Sequence, residues 1–223
     1  MPFTLKFLKI KTVPTLFWSA PKTLSLRPPL VSLVFLVFGL SIFGLGEAML
    51  ITAGIGVSPW TVFAQGLTHF IGIGIGLATF VLSISVLLSW IPLKQTPGIG
   101  TLANAVIIAW VLEFALPYLP HFDHTGLQIL QAILGVLFTG LGGAIYLIAN
   151  LGPGPRDGLM TGLQRATSRP LALVRASIEI SVILLGWSLG GTVGIGTMFF
   201  ALGIGPSVAA SLYGLQKLFA GRT

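Results

Sequence analysis

The chain has 223 residues, of which 54% are hydrophobic and only 8% charged. A soluble domain carries roughly 25% charged residues, so this chain has too few to cover a water-facing surface, a requirement that a lipid bilayer removes. Its net charge of +7 arises from 12 basic and 5 acidic residues. The bases lie in the N-terminal tail and in short loops rather than on one polar face, which points to membrane topology and not to nucleic acid. Without cysteine, a disulfide, a thiolate zinc site and a cysteine nucleophile are excluded.

Residues 1–29 hold Lys6, Lys9, Lys11, Lys22 and Arg27, with Pro14, Pro21, Pro28 and Pro29 breaking the short apolar pieces. A signal peptide has one basic end, one apolar core and a small-residue cleavage site. This segment lacks that order and reads as a basic, flexible or interfacial cytoplasmic tail. A spanning helix needs about 20 mostly apolar residues. Six runs qualify: 30–53, 75–91, 99–117, 127–149, 171–189 and 197–215. Short stretches at 60–70 and 156–167 fall between the first and second and between the fourth and fifth runs. They are expected to be interfacial or re-entrant. The predicted fold is all-α, with short helices of this kind beside about six spans.

Loop charges test that count. Lys94 lies after the second run, Arg156, Arg165 and Arg169 after the fourth, and Lys217 and Arg222 after the sixth. Residues 54–74, 118–126 and 190–196 contain no Lys or Arg. This alternation obeys the positive-inside rule with both termini cytoplasmic.

A shift of 96 positions superimposes two blocks without a gap. Gly44-Leu45-Gly46 falls on Gly140-Leu141-Gly142, Gly56 on Gly152, Pro59 on Pro155 and Gly66-Leu67 on Gly162-Leu163. Gly98-Ile99-Gly100-Thr101 falls on Gly194-Ile195-Gly196-Thr197. The halves are read as membrane repeats at 30–118 and 127–217. With three spans each, an odd number, the second is expected to sit upside down relative to the first. Inverted-topology repeats are common in secondary transporters, whose sites lie at the repeat interface beside broken helices. Residues 54–59 and 150–155 are rich in Gly and Pro, which favour such breaks. Pro59 and Pro155 suit the first turn of a new helix, whose open amides attract anions.

The segment from Gly142 to Leu163, with Val174-Arg175, Glu179, Leu189-Gly190-Gly191 and Gly194-Ile195-Gly196-Thr197, resembles the YczE/YyaS/YitT family of bacterial membrane proteins. Gly56-Val57-Ser58-Pro59-Trp60 is similar to it as well. The resemblance covers roughly 30–215 and implies a multi-span fold in the bacterial plasma membrane, without implying a reaction. Members often carry an acid after the first Pro-Trp, where this chain has Thr61.

Charges inside a bilayer are costly and mark functional candidates. Glu47 lies in the first run opposite Gly143 in the repeat register; it suits a proton, a cation or a substrate amine, or serves structurally. Arg175 and Glu179 are four apart and share a helix face. Arg156 suits carboxylate, phosphate or a lipid head group, and Asp157 can cap the short helix or pair with Arg175. These five are the candidate substrate-binding residues. Glu113 reads as an interfacial acid, and Asn104 and Asn150 as links between helices or a helix cap. Gly44 with Ala48, Gly140 with Ala144 and Gly186 with Gly190 have the spacing of close-packed membrane helices, which also suits a homo-oligomer. Gly203, Gly205 and Pro206 are expected to bend or interrupt the sixth span.

His121, Asp123 and His124 are too few and too polar in setting for a zinc site. No nucleotide loop or Ser-His-Asp set is apparent, so neither an enzyme nor a cofactor or metal is expected. The best functional reading is a small-solute transporter or exporter working between the repeats. The alternative is a membrane protein that scaffolds or regulates a partner complex. Accessibility mapping from each side of the membrane should find Lys94 and Arg165 on one face; finding them on opposite faces would overturn the topology.

Overall fold

A computed structural model describes residues 13–219. Lys6, Lys9, Lys11 and Arg222, used above to orient the chain, lie outside the described residues. Among the described residues eight α-helices follow one another: α1 (Leu30–Ala53), α2 (Pro59–Ile71), α3 (Ile75–Ser89), α4 (Ile99–Ala115), α5 (Thr125–Ile148), α6 (Pro155–Thr167), α7 (Leu171–Ser188) and α8 (Ile195–Phe219). A single 3₁₀ turn extends α4 over Leu116–Tyr118.

Among the described residues, five helical segments are long and apolar enough to cross a membrane: α1, α4 with its 3₁₀ extension, α5, α7 and α8. The predicted run at 75–91 forms a shorter helix: α3 has 15 residues, about 22 Å at 1.5 Å per residue, against a hydrocarbon core of about 30 Å. It is joined to α2 across residues 72–74, where the helix axis bends by 113°. Gly72 at φ 77° permits that bend. Counting the bent pair as one span brings the total to six.

Large apolar side chains face outward, as Trp110, Phe114, Trp187 and Leu202 do. Inside, small residues bring helix backbones together between buried side chains such as Leu36, Leu40 and Leu112. Gly142 packs on the backbone of Gly39 and Phe43, and Gly46 on that of Gly135 and Thr139, which brings α1 and α5 into backbone contact. In lipid such close approach, not solvent exclusion, holds helices together. Gly44 rests on Val111 of α4, and Gly140 on Ser207 of α8. Gly186 lies against the backbone of Val62 and Phe63, so α7 packs on α2. α8 runs through Pro206 without a break, in contrast to the interruption considered from the sequence. The amide that Pro206 lacks removes one bond, and the turns on either side keep the rest.

The backbone itself repeats. The described residues with positive φ form four pairs 96 positions apart: Gly54 with Asn150, Gly56 with Gly152, Gly72 with Ser168, and Lys94 with Gly190. α2 and α6 begin and end at equivalent positions, and α3 and α7, like α4 and α8, begin at them. The helix breaks at 54–58 and 149–154 are stitched across the chain. Gly196 N–H, in the first turn of α8, donates to Ile55 O (2.8 Å), and Gly100 N–H, in the first turn of α4, donates to Leu151 O (2.7 Å). Gly56 and Gly152, at φ 113° and 114°, are pressed against the Gly194–Thr197 and Gly98–Thr101 turns respectively, and a side chain at either would collide there.

Of the two readings of 1–29, flexible or interfacial, the flexible one does not hold over the described residues 13–29, which dock on the helices. Trp18 is fully buried, stacks on Phe35 at 4.5 Å and meets Phe219 edge-on at 5.4 Å. Ser19 Oγ donates to Ile148 O (2.6 Å), Ala20 N–H to Ala149 O (3.0 Å), and Asn150 Nδ2 to Ala20 O (2.8 Å). The segment thus uses the unpaired carbonyls at the end of α5, a gain that the proline-broken sequence did not reveal. Trp18→Ala should lower stability in detergent by about 3–5 kcal/mol, whereas Leu26→Ala, at a position 89% exposed, should change it by less than about 0.5 kcal/mol. Equal unfolding temperatures for the two variants would show that the segment is not docked.

Candidate functional site

The breaks place two polar groups at equivalent points of the two halves. In the first, α2 starts at Pro59 after Ser58 in extended conformation, as the residue before proline prefers. Glu47, on α1 and 1% exposed, accepts at Oε2 from Ser58 Oγ (2.7 Å) and Thr61 Oγ1 (2.6 Å). Its Oε1 is buried with no hydrogen-bond partner among the described residues. In the second half α6 starts at Pro155 after extended Gly154, and Asp157 Oδ2 accepts from the buried Tyr146 hydroxyl (3.0 Å). Thr61 and Asp157 are 96 positions apart. Thr61, standing where the family resemblance implies an acid, holds the carboxylate of α1 instead, so each half keeps one carboxylate at the start of its short helix.

A cavity of about 350 Å³ opens between the halves. Of the five candidates, Arg156, Asp157, Arg175 and Glu179 line it. Glu47 is absent from the lining and lies buried on Ser58 and Thr61. The second half supplies these charged side chains, and the first half adds Phe43, Trp60 and Asn104. The space exists because α7 stands away from α8. Its counterpart α3 packs along α4, with Gly76 against Ala109. At the equivalent place on α8, Gly205 has nothing within 4 Å of its would-be side chain.

Arg175 Nε donates to Glu179 Oε1 at 2.8 Å, one turn apart on α7; this is the pair expected from their spacing. Asp157 pairs with Tyr146 rather than Arg175, and no side-chain cap is made at Gly154. Arg156 is half-buried with its guanidinium 5.2 Å from the centre of the Trp60 ring. No carboxylate of the described residues comes within 4 Å of it. Trp60 and Arg156 are equivalent in the repeat register, 96 positions apart, so the contact joins matching points of the two halves. Trp60 is 6% exposed and its Nε1–H has no partner among the described residues. Asn104 and Tyr146 complete the polar lining, and both sit beside Gly154. Tyr146 and Trp60 were not picked out by intramembrane charge, because neither is charged; the repeat register that pairs Trp60 with Arg156 was the available signal.

Other candidates do local work. Glu113 accepts from Gly76 N–H (2.8 Å) and so holds the first turn of α3 against α4, where an anion suits the open amides. His124 Nδ1 caps α5 by accepting from Gly126 N–H (3.1 Å). Asn150, at φ 55°, ends the α5 turn and reaches Ala20.

Long apolar helices with small residues inside, polar breaks and a shared cavity define a polytopic α-helical membrane protein. Residues 30–212 match the model of a family of unknown function, DUF6198, and the chain belongs to that family. It is 39% identical over 210 residues to a protein of Haemophilus influenzae described as uncharacterized, covering 94% of this chain and 95% of that one. It is 31% identical over 172 residues to the uncharacterized membrane protein YczE of Bacillus subtilis, covering 76% and 77%. YyaS of the same organism is 26% identical over 164 residues, covering 72% and 82%. These matches agree with the resemblance drawn from the sequence blocks. No solved structure matches the chain.

Removing the acceptor of Ser58 and Thr61 should be more harmful than neutralising it. Glu47→Ala is expected to lower stability by about 1–3 kcal/mol, the desolvation penalty of buried groups left unpaired, and Glu47→Gln by less than half as much. Thermal unfolding in detergent measures both; an Ala variant as stable as the parent would show that this cluster does not support the break.

Proposed function

We infer that the protein is a small-solute transporter or exporter of the bacterial plasma membrane, with both termini cytoplasmic and its site between two inverted-topology halves at 30–118 and 127–217. It acts as a carrier and not as an enzyme. The observation that carries this reading is the charged cavity to which both halves contribute, where a scaffold would need only a closed apolar centre. The reciprocal bonds of Ile55 with Gly196 and Leu151 with Gly100 support the inverted relation. So does the contact of the equivalent Trp60 and Arg156, as expected of matching residues beside a pseudo-two-fold axis. Binding at a repeat interface beside broken helices is the usual arrangement of such carriers.

The unequal seams support a mechanism. α7 stands off α8 while α3 closes on α4. Exchange of these two arrangements between the halves would close the cavity at one seam and open it at the other, a rocking motion around a fixed site. Glu113 on Gly76 is one contact that such an exchange breaks.

The test is uptake and efflux in sealed vesicles containing the purified chain, against a panel of metabolites. At least one solute should move faster than in empty vesicles. Arg175→Ala should slow it by about tenfold or more, the effect of losing one charge-assisted bond of about 1.5–3 kcal/mol. Unchanged flux in Arg175→Ala would remove that residue from the site. No flux for any solute would leave the chain as a scaffold or regulator of a partner complex.

A further inference from the structure

The cavity side chains point to the charge of the ligand as well as to its presence. The lining holds two arginines, Arg156 and Arg175, and two carboxylates, Asp157 and Glu179. One opposite pair is already joined, Arg175 with Glu179. The remaining two, Arg156 and Asp157, are neighbours in the chain at the start of α6, and each keeps unused capacity. The Arg156 fork lies on Trp60 with no carboxylate within 4 Å among the described residues. Asp157 accepts one bond, from Tyr146.

A guanidinium fork suits an anionic group. A carboxylate with free lone pairs suits an ammonium. A simple anion on Arg156 would put like charge beside Asp157, and a simple cation on Asp157 would put like charge beside Arg156. Either mismatch is unfavourable, and more so than in bulk water because the bilayer surrounds the cavity. A ligand carrying both charges satisfies both residues and adds no net charge to a balanced lining. Phe43, Met160 and Phe200 supply an apolar wall, and the volume of about 350 Å³ lies at the small end of the range for small-molecule sites.

We propose that this cavity binds a zwitterion with an apolar body, its anionic group on Arg156 and its ammonium on Asp157. The inference rests on reading the cavity as a solute site. The same chemistry has two sources, a free apolar amino acid and the head group of a phosphatidylethanolamine lipid entering between α7 and α8.

Binding to the purified chain in detergent, followed by calorimetry and by Trp fluorescence, tests the proposal without requiring transport. The free-solute arm compares L-leucine with 4-methylpentanoate, which lacks the ammonium, and with isopentylamine, which lacks the carboxylate. The lipid arm compares dihexanoyl phosphatidylethanolamine with dihexanoyl phosphatidylglycerol. In at least one arm the zwitterion should bind about tenfold or more tightly than its single-charge counterparts, as expected when a site built for two polar groups meets a ligand lacking one. The arm that shows this preference identifies the source. Arg156→Gln should abolish the preference over isopentylamine, and Asp157→Asn the preference over 4-methylpentanoate. The preferences of the parent protein stand as a readout even if a variant fails to fold. Equal binding of a single-charge probe and its zwitterion in both arms, or no binding by any probe, overturns the proposal. Zwitterion binding without flux in vesicles would instead overturn the transport reading and leave this one intact.

Discussion

A helix that breaks inside a membrane bundle frees backbone groups that lipid cannot satisfy, and the structure depends on how those groups are paired. The carbonyl of Ile55, just past the end of α1, is met by an amide of the first turn of α8. The carbonyl of Leu151, just past the end of α5, is met by an amide of the first turn of α4. Both partners are groups that a helix end leaves open. Each bond therefore resolves two unsatisfied groups at once, and each crosses from one half of the chain to the other. Glycine is required where this happens, because Gly56 and Gly152 combine positive φ with contact too close for a side chain.

That stitching fixes where the short helices start, and so where the polar side chains sit. α2 and α6 begin at Pro59 and Pro155, and their first turns carry Trp60 with Thr61 and Arg156 with Asp157. The halves share a backbone but differ in chemistry. The first buries its carboxylate, Glu47, beneath two hydroxyls. The second presents Asp157 and Arg156 to the cavity. A repeated frame thus encloses a one-sided cavity, with charge on one half and an aromatic surface from Trp60 and Phe43 on the other.

The same asymmetry extends to packing. Glu113 ties α4 to the first turn of α3, whereas the corresponding seam between α7 and α8 is held apart and lined by the Arg175–Glu179 pair and Gly205. Small residues along α1 and α5 make the central contact rigid, since backbones in direct touch have little room to shift.

The sequence by itself determined the membrane setting, the 96-residue repeat and the positions of the breaks. These follow from local composition: long apolar runs have one stable form in lipid, and Gly and Pro limit backbone angles wherever they stand. It also determined that Arg175 meets Glu179, because one helical turn separates them. Only the tertiary structure decided that Asp157 would be held by Tyr146, that Arg156 would lie on Trp60 and that Glu47 would withdraw behind the cavity. It alone docked Trp18 against the ends of α1, α5 and α8. Those outcomes depend on which helices become neighbours, and a chain of similar apolar runs does not encode that in local spacing. The pairings arise from close glycine contacts and shared hydrogen bonds between residues far apart in sequence.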